Sequence, residues 1–253
     1  MTGGELLEET KRRFIQLLKF QGDEVYRREL QSEVVVSRPL SVAEAIGDPG
    51  RDDFPIIRGR EVLMQATFKG VAGQAFTAAS GDFRGTLGDV LALPLDENFE
   101  RAVFIATMNA ALRYLGKIEK TVHCRDDGPK RCSSLAVDWL RDQEWEMVGL
   151  VGLQPAILEA LVKAFGRERV MVSDLAEAGS EHCGIWVLDG LNSGEIFEQC
   201  QIILITGSTI VNGTIDDLLD RAAEHKRRVV LFGVTIAGAA YLMGLESWCA
   251  CST

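Results

Sequence analysis

Positive charge is scarce in this chain of 253 residues: 27 Lys and Arg stand against 37 Asp and Glu, a formal net charge of -10. That deficit argues against the electrostatic footprint that nucleic acid or an anionic membrane surface requires. Short basic runs such as Lys11-Arg12-Arg13 and Lys226-Arg227-Arg228 read as solvated ends of a helix or strand. A long hydrophobic run is missing too. The longest uncharged apolar stretch, Val229 to Leu245, falls short of the roughly 20 residues of a membrane span. Gly233, Thr235, Gly238 and Gly244 divide it into strand, turn and helix. Glu5, Glu8 and Glu9 stand where a secretory signal needs a basic start and an apolar middle. The expectation is a cytoplasmic protein, whose six cysteines are reduced thiols rather than a disulfide framework. The sequence also lacks a G-x-S-x-G elbow, an H-E-x-x-H helix, a Walker loop, internal repeats and low-complexity segments.

What is present is an ordinary globular composition, 47% hydrophobic and 25% charged, in two halves with different patterning. The first half opens with an amphipathic helix over Glu5 to Phe20. Strands follow at Glu33 to Val36 and Arg60 to Phe68, and Lys69-Gly70 turns the chain back into Val71 to Thr77. SGDFRGTLGD, from Ser80 to Asp89, reads as a glycine-rich loop. A buried helix then runs from Glu97 to Leu115, with Gly116 as its stop. The second half alternates strand and helix. Met147 to Gly152, Arg169 to Ser173, Gly184 to Leu188, Gln201 to Thr206 and Arg228 to Gly233 are apolar strands without in/out alternation. Pro155 opens one helix, and Ile215, Leu218, Leu219, Ala222 and Ala223 mark another at helical spacing. Such strands between such helices predict a parallel sheet covered on both faces, a Rossmann-like α/β unit. The expected division is 1–116 and 117–253, with the boundary somewhere in 117–146.

Ligands of open α/β sheets bind beyond the carboxyl ends of the strands, and two segments put unusual residues there. Gly149 and Gly152 lead through Gln154 to Pro155, where backbone amides at a helix start suit an anion. The spacing is G-x-x-G, so a plain packing turn is an equal reading. ILITGSTIVNGT, from Ile203 to Thr214, is rich in hydroxyls. Thr214 is expected to cap the next helix with Asp217 at the third helical position, and Asn212-Gly213 to turn the chain with positive φ. Thr206, Gly207, Ser208 and Thr209 serve neither task and are assigned, with Asn212, to a bound ligand. Asp174 closes a strand where an acidic residue often meets a ribose; a turn cap is the competing reading. Asn109 interrupts an apolar helix face and needs a partner, either in the ligand or in the core. His123, Cys124 and Cys132 lie within ten positions of one another, and imidazole with thiolate suits a soft or borderline transition metal. Cys132 also fits the buried face of the helix that Pro129 opens. Cys249-Ala250-Cys251 reads either as a chelating pair or as a frayed tail.

VGLVGLQP at Val148, ITGSTIVNGT at Ile205, HCRDDGPKRC at His123, GVAGQAFTAASGD at Gly70 and ATMNAALRYLG at Ala106 resemble a prokaryotic family described as “putative heavy-metal chelation” proteins. The resemblance implies an α+β enolase N-terminal-like domain followed by a Rossmann-like domain, with the site in the cleft between them. It implies binding of a heavy-metal ion or a small metal-chelating, anionic molecule there. An enzyme using a nucleotide-type or S-adenosylmethionine-type cofactor on the Rossmann-like half is the alternative, and a recognition module without chemistry a third. Catalysis and homo-oligomer formation are left open by these residues.

Overall fold

The computed structural model describes residues 4–253. The first part of the chain runs α1 (Glu5–Phe20), α2 (Asp23–Leu30), β1 (Glu33–Val36), α3 (Val42–Ile46), β2 (Val62–Phe68), β3 (Val71–Thr77), β4 (Phe83–Thr86), α4 (Leu87–Leu91), α5 (Asn98–Tyr114) and α6 (Gly128–Arg141). Its four strands form an antiparallel sheet in the order β3-β2-β1-β4, with Lys69 and Gly70 at positive φ in the β2–β3 turn. SGDFRGTLGD is therefore not a loop. Phe83–Thr86 pairs with Glu33–Val36, and Thr86 caps α4 in a reciprocal box with Asp89. The charged helix α2 (DEVYRREL) and the short α3 also fall outside the sequence reading, because neither carries a long apolar stripe.

The remaining elements are β5 (Val148–Val151), α7 (Pro155–Phe165), β6 (Val170–Asp174), β7 (Glu181–His182), β8 (Ile185–Asp189), α8 (Gly194–Gln199), β9 (Ile202–Thr206), α9 (Thr209–Asn212), α10 (Ile215–Glu224), β10 (Arg228–Phe232), α11 (Ala237–Met243) and β11 (Ser247–Trp248). They build a seven-stranded sheet, β11-β10-β9-β5-β6-β8-β7, parallel throughout except for the β7–β8 pair. The fold is thus mixed α/β with a parallel sheet. β5 to β6 winds to one side of β5, and the chain then returns to place β9 on the other side. That reversal leaves a crevice between the carboxyl ends of β5 and β9, the place where open sheets receive ligands.

Helix α5 ties the two sheets together. Every residue from Ala102 to Leu112 is buried, so the helix has no solvent face along this stretch. It packs against β2 and β3 on one side and against α9 and α11 on the other. One continuous apolar cluster accordingly joins Phe14, Val34, Met64 and Phe104 to Ile203, Ile205 and Ile236.

Candidate functional site

A cavity of about 390 Å³ opens at the carboxyl ends of β5, β6, β9 and β10, and residues preceding β2 and α6 complete its walls. One water needs roughly 10–15 Å³, so this space suits a small molecule rather than a bare ion, and it lies in the usual range for ligand pockets.

One wall is the hydroxyl turn. The Thr206 and Ser208 hydroxyls stand 3.2 Å apart, and Thr209 Oγ1 donates to the Thr206 carbonyl at 2.7 Å. Thr206, Gly207, Ser208, Thr209 and Asn212 all line the cavity. The expected cap at Thr214 does not form. Its hydroxyl donates instead to Asn212 Oδ1 at 2.7 Å, the backbone amide of Thr214 reaches the same oxygen at 3.1 Å, and Asp217 pairs with Arg221. Asn212, the last residue of the one-turn helix α9, thus organises the turn before Gly213, which takes φ 80°.

The adjacent wall is the turn after β5. Gly152 has φ 87°, and a Cβ there would lie 2.2 Å from Thr206 Cγ2, so its glycine lets the two walls meet. Gln154 caps α7 by accepting from the Ile157 amide at 2.7 Å. Asp174 accepts from the amides of Leu153, Ala176 and Glu177 at 2.7–3.1 Å. Its carboxylate lines the cavity and holds both turns, as the cap reading expects.

Two expected ligand residues lie elsewhere. Gly149 is buried within β5, where a Cβ would fall 2.6 Å from Ile196 Cγ2; it is a packing glycine under α8. Asn109 is fully buried and does not line the cavity. Its Nδ2 donates to the carbonyls of Gln74, Val234 and Thr235, and its Oδ1 accepts from Gly238 at 2.8 Å. The partner it needs is the protein core.

The third wall carries His123, Cys124 and Cys132, and all three line the cavity. Gln74 Oε1 holds the His123 amide at 2.7 Å, and Phe76 meets the imidazole edge-to-face. His123 Nδ1 is buried with no hydrogen-bond partner among the described residues. Burial drives the imidazole pKa down to about 4, leaving the neutral, ligating form at pH 7. The Cys124 and Cys132 thiols hydrogen-bond to each other. That bond, helped by backbone groups of Cys251 and Ala250, brings Cys132 down to about 6. Cys124 is pushed up by the same bond and by burial, so the two thiols titrate as a pair.

The tail after β11 is pinned rather than frayed. Thr253 exchanges backbone hydrogen bonds with Val122 at 2.7 and 3.0 Å and accepts another from Thr121 at 3.1 Å. This pairing sets Cys249 in the cavity lining and Cys251 beside Cys132.

Sequence reasoning passed over Glu61, which lines the cavity just before β2. Burial, with the neighbouring Asp174 charge, raises its carboxyl pKa from the ordinary 4.5 to about 7. A carboxyl that ionises later in the folded state than in the unfolded one costs stability as pH rises through the interval from 4.5 to 7. Glu61→Gln is therefore expected to match the parent below pH 4 and exceed it above pH 7, by on the order of 1–3 kcal/mol. Denaturant unfolding at the two pH values checks this; a variant less stable at pH 8 would show that the charged carboxylate has a stabilising partner.

Residues 135–244 match the model of the DUF364 family, described as “Putative heavy-metal chelation”. The matched stretch contains the hydroxyl turn and the Gly152–Gln154 turn; His123, Cys124, Cys132 and Glu61 lie outside it. No curated protein matches the sequence. Among solved structures, a protein of unknown function from the same family in Pyrococcus horikoshii aligns with TM-score 0.51 at 15% identity, covering 91% of this chain and 79% of that one. A second member, from Desulfitobacterium hafniense, gives 0.46 at 15% identity over 72% and 73% of the two chains. At such identity the first likeness concerns the fold alone. In sequence over residues 135–244, and in fold with the Pyrococcus structure, this chain resembles the DUF364 family of “Putative heavy-metal chelation” proteins.

Proposed function

We propose that the chain binds a soft or borderline metal together with a small anionic chelator in the cavity between its two sheets. The observation that carries this reading is the meeting of three unlike donor types on one space: paired thiols, an orphaned imidazole nitrogen and a hydroxyl turn. Thiolate and neutral imidazole are soft and borderline donors, so they fit a metal such as copper(I) or zinc. Among the described residues, however, no group of three or more His, Cys, Asp or Glu is arranged to hold an ion. A closed structural zinc site is thus not what these residues make. The protein contributes one or two donors, and the remaining coordination positions fall to the small molecule for which a cavity of about 390 Å³ has room. The Ser208 and Thr209 turn then serves the anionic part of that molecule, through hydroxyl and amide donors.

The expected result is that zinc binds more tightly in the presence of an anionic chelator such as citrate than alone, with a ternary complex visible by native mass spectrometry. Zinc stripped from the protein by citrate, with no ternary mass, would overturn the reading. The parallel sheet by itself does not favour a nucleotide-type cofactor, because the G-x-x-G turn places Gly149 in packing and spends the Gly152 and Leu153 amides on Ser173 and Asp174.

A further inference from the structure

We propose that Glu61 recognises a basic nitrogen on the cavity's ligand, so that the occupant is an amine- or amidine-bearing molecule. This deepens the proposed function and rests on its assignment of the cavity as the ligand site. Glu61 lines the cavity, and among the described residues no hydrogen bond or ion pair reaches its carboxyl, while the Asp174 charge bears on it. Asp174 is held as an acceptor by three amides. The arginine in the cavity lining and two others before β2 have carboxylate partners of their own. The Arg60 guanidinium pairs with Glu177, Arg58 stands 3.9 Å from the same carboxylate, and Arg51 is shared between Asp53 and Glu159. The cavity therefore holds two carboxyl groups, Asp174 and Glu61, that no cation among the described residues pairs with, and Glu61 has no hydrogen-bond donor among them either.

Glu61 is half-buried and its carboxyl faces the cavity, so an occupant that displaces the cavity water has to supply the donor that the chain does not. A cationic nitrogen does so most strongly, because it forms a charge-assisted bond with Glu61 and is attracted by Asp174 as well. The other titratable groups lining the cavity do not compete for that position. Glu177 has its own cations, His123 is neutral, and the thiols form a separate wall with Cys249. Phe54, Ile56 and Phe76 line the space with the carboxyl and leave room for an apolar body next to the charge.

Benzamidine and benzamide test this, since they share a shape and differ in charge. Calorimetric titration of the full chain at pH 8 is expected to favour benzamidine by about tenfold or more, the effect of a hydrogen bond to a charged group. The preference should fade as pH drops below 7 and Glu61 takes up its proton, while benzamidine stays cationic. Glu61→Gln should bind both fragments alike. Equal binding to the parent, failure of benzamidine to bind, or a preference that survives in Glu61→Gln would each overturn the proposal, the last by assigning the effect to Asp174. Zinc titration of Glu61→Gln separates this from the underlying reading. Parent-like zinc affinity alongside a failed fragment test removes Glu61 and leaves the thiol wall standing.

Discussion

Serine at both Cys124 and Cys132 is expected to weaken copper(I) and zinc binding by orders of magnitude while leaving a melting curve close to the parent's. Serine keeps the size of cysteine and loses the polarisable anion that a soft metal prefers. The two sulfurs act as one unit, because each shifts the other's titration, Cys132 downward and Cys124 upward. Near pH 7.5 Cys132, at about 6, is already ionised. A metal that engages both sulfurs should then release about one proton, from Cys124, and a titration repeated in buffers of different ionisation enthalpy reads that number. Release of none would mean that the metal touches Cys132 alone. Equal affinity in parent and double variant would remove both cysteines and leave the hydroxyl turn as the chief functional feature.

Asn109→Leu is expected to destabilise the protein by about 3–5 kcal/mol, although no solvent or ligand reaches the side chain. Leucine keeps the branched outline, but it is larger and offers no hydrogen bond. The variant strands the Gly238 amide and removes the donor shared by three buried carbonyls, on β3 and in the segment that leads into α11. Those groups sit where the first sheet, α5 and the second sheet meet, so water cannot replace the amide without opening the core. Urea unfolding measures the loss. A change below about 1 kcal/mol would show that these groups find other partners and that the Asn109 net is dispensable.

The parallel half was legible because its signals are local and redundant. Val148–Val151 and Ile202–Thr206 are continuous apolar runs, and Pro155 and Gly166 bracket α7. α2 was not, since an eight-residue helix rich in charge announces no buried stripe. The candidate site was legible only by residue type. Two thiols, an imidazole and a run of hydroxyls are chemically conspicuous wherever they fall. Gly149 and Asn109 misled for the same reason: a glycine in a strand and an amide in an apolar helix look like ligand contacts when their partners are distant. Ile196 lies far along the chain from Gly149, and Gly238 farther from Asn109. Glu61 carried no signal at all. One acidic residue before a strand is ordinary until the fold encloses it with Asp174. The frayed-tail reading failed because the tail's ladder is with Thr121 and Val122, and no local pattern encodes that pairing.

Helix α5 has a thermodynamic consequence as well as an architectural one. Its side chains belong to a single apolar cluster drawn from both sheets, and neither sheet can shed that cluster without exposing the other's share of it. Melting should therefore be all-or-none. Scanning calorimetry is expected to give one endotherm whose calorimetric and van't Hoff enthalpies agree; two resolved peaks would mean that α5 stays with one partner while the other unfolds alone.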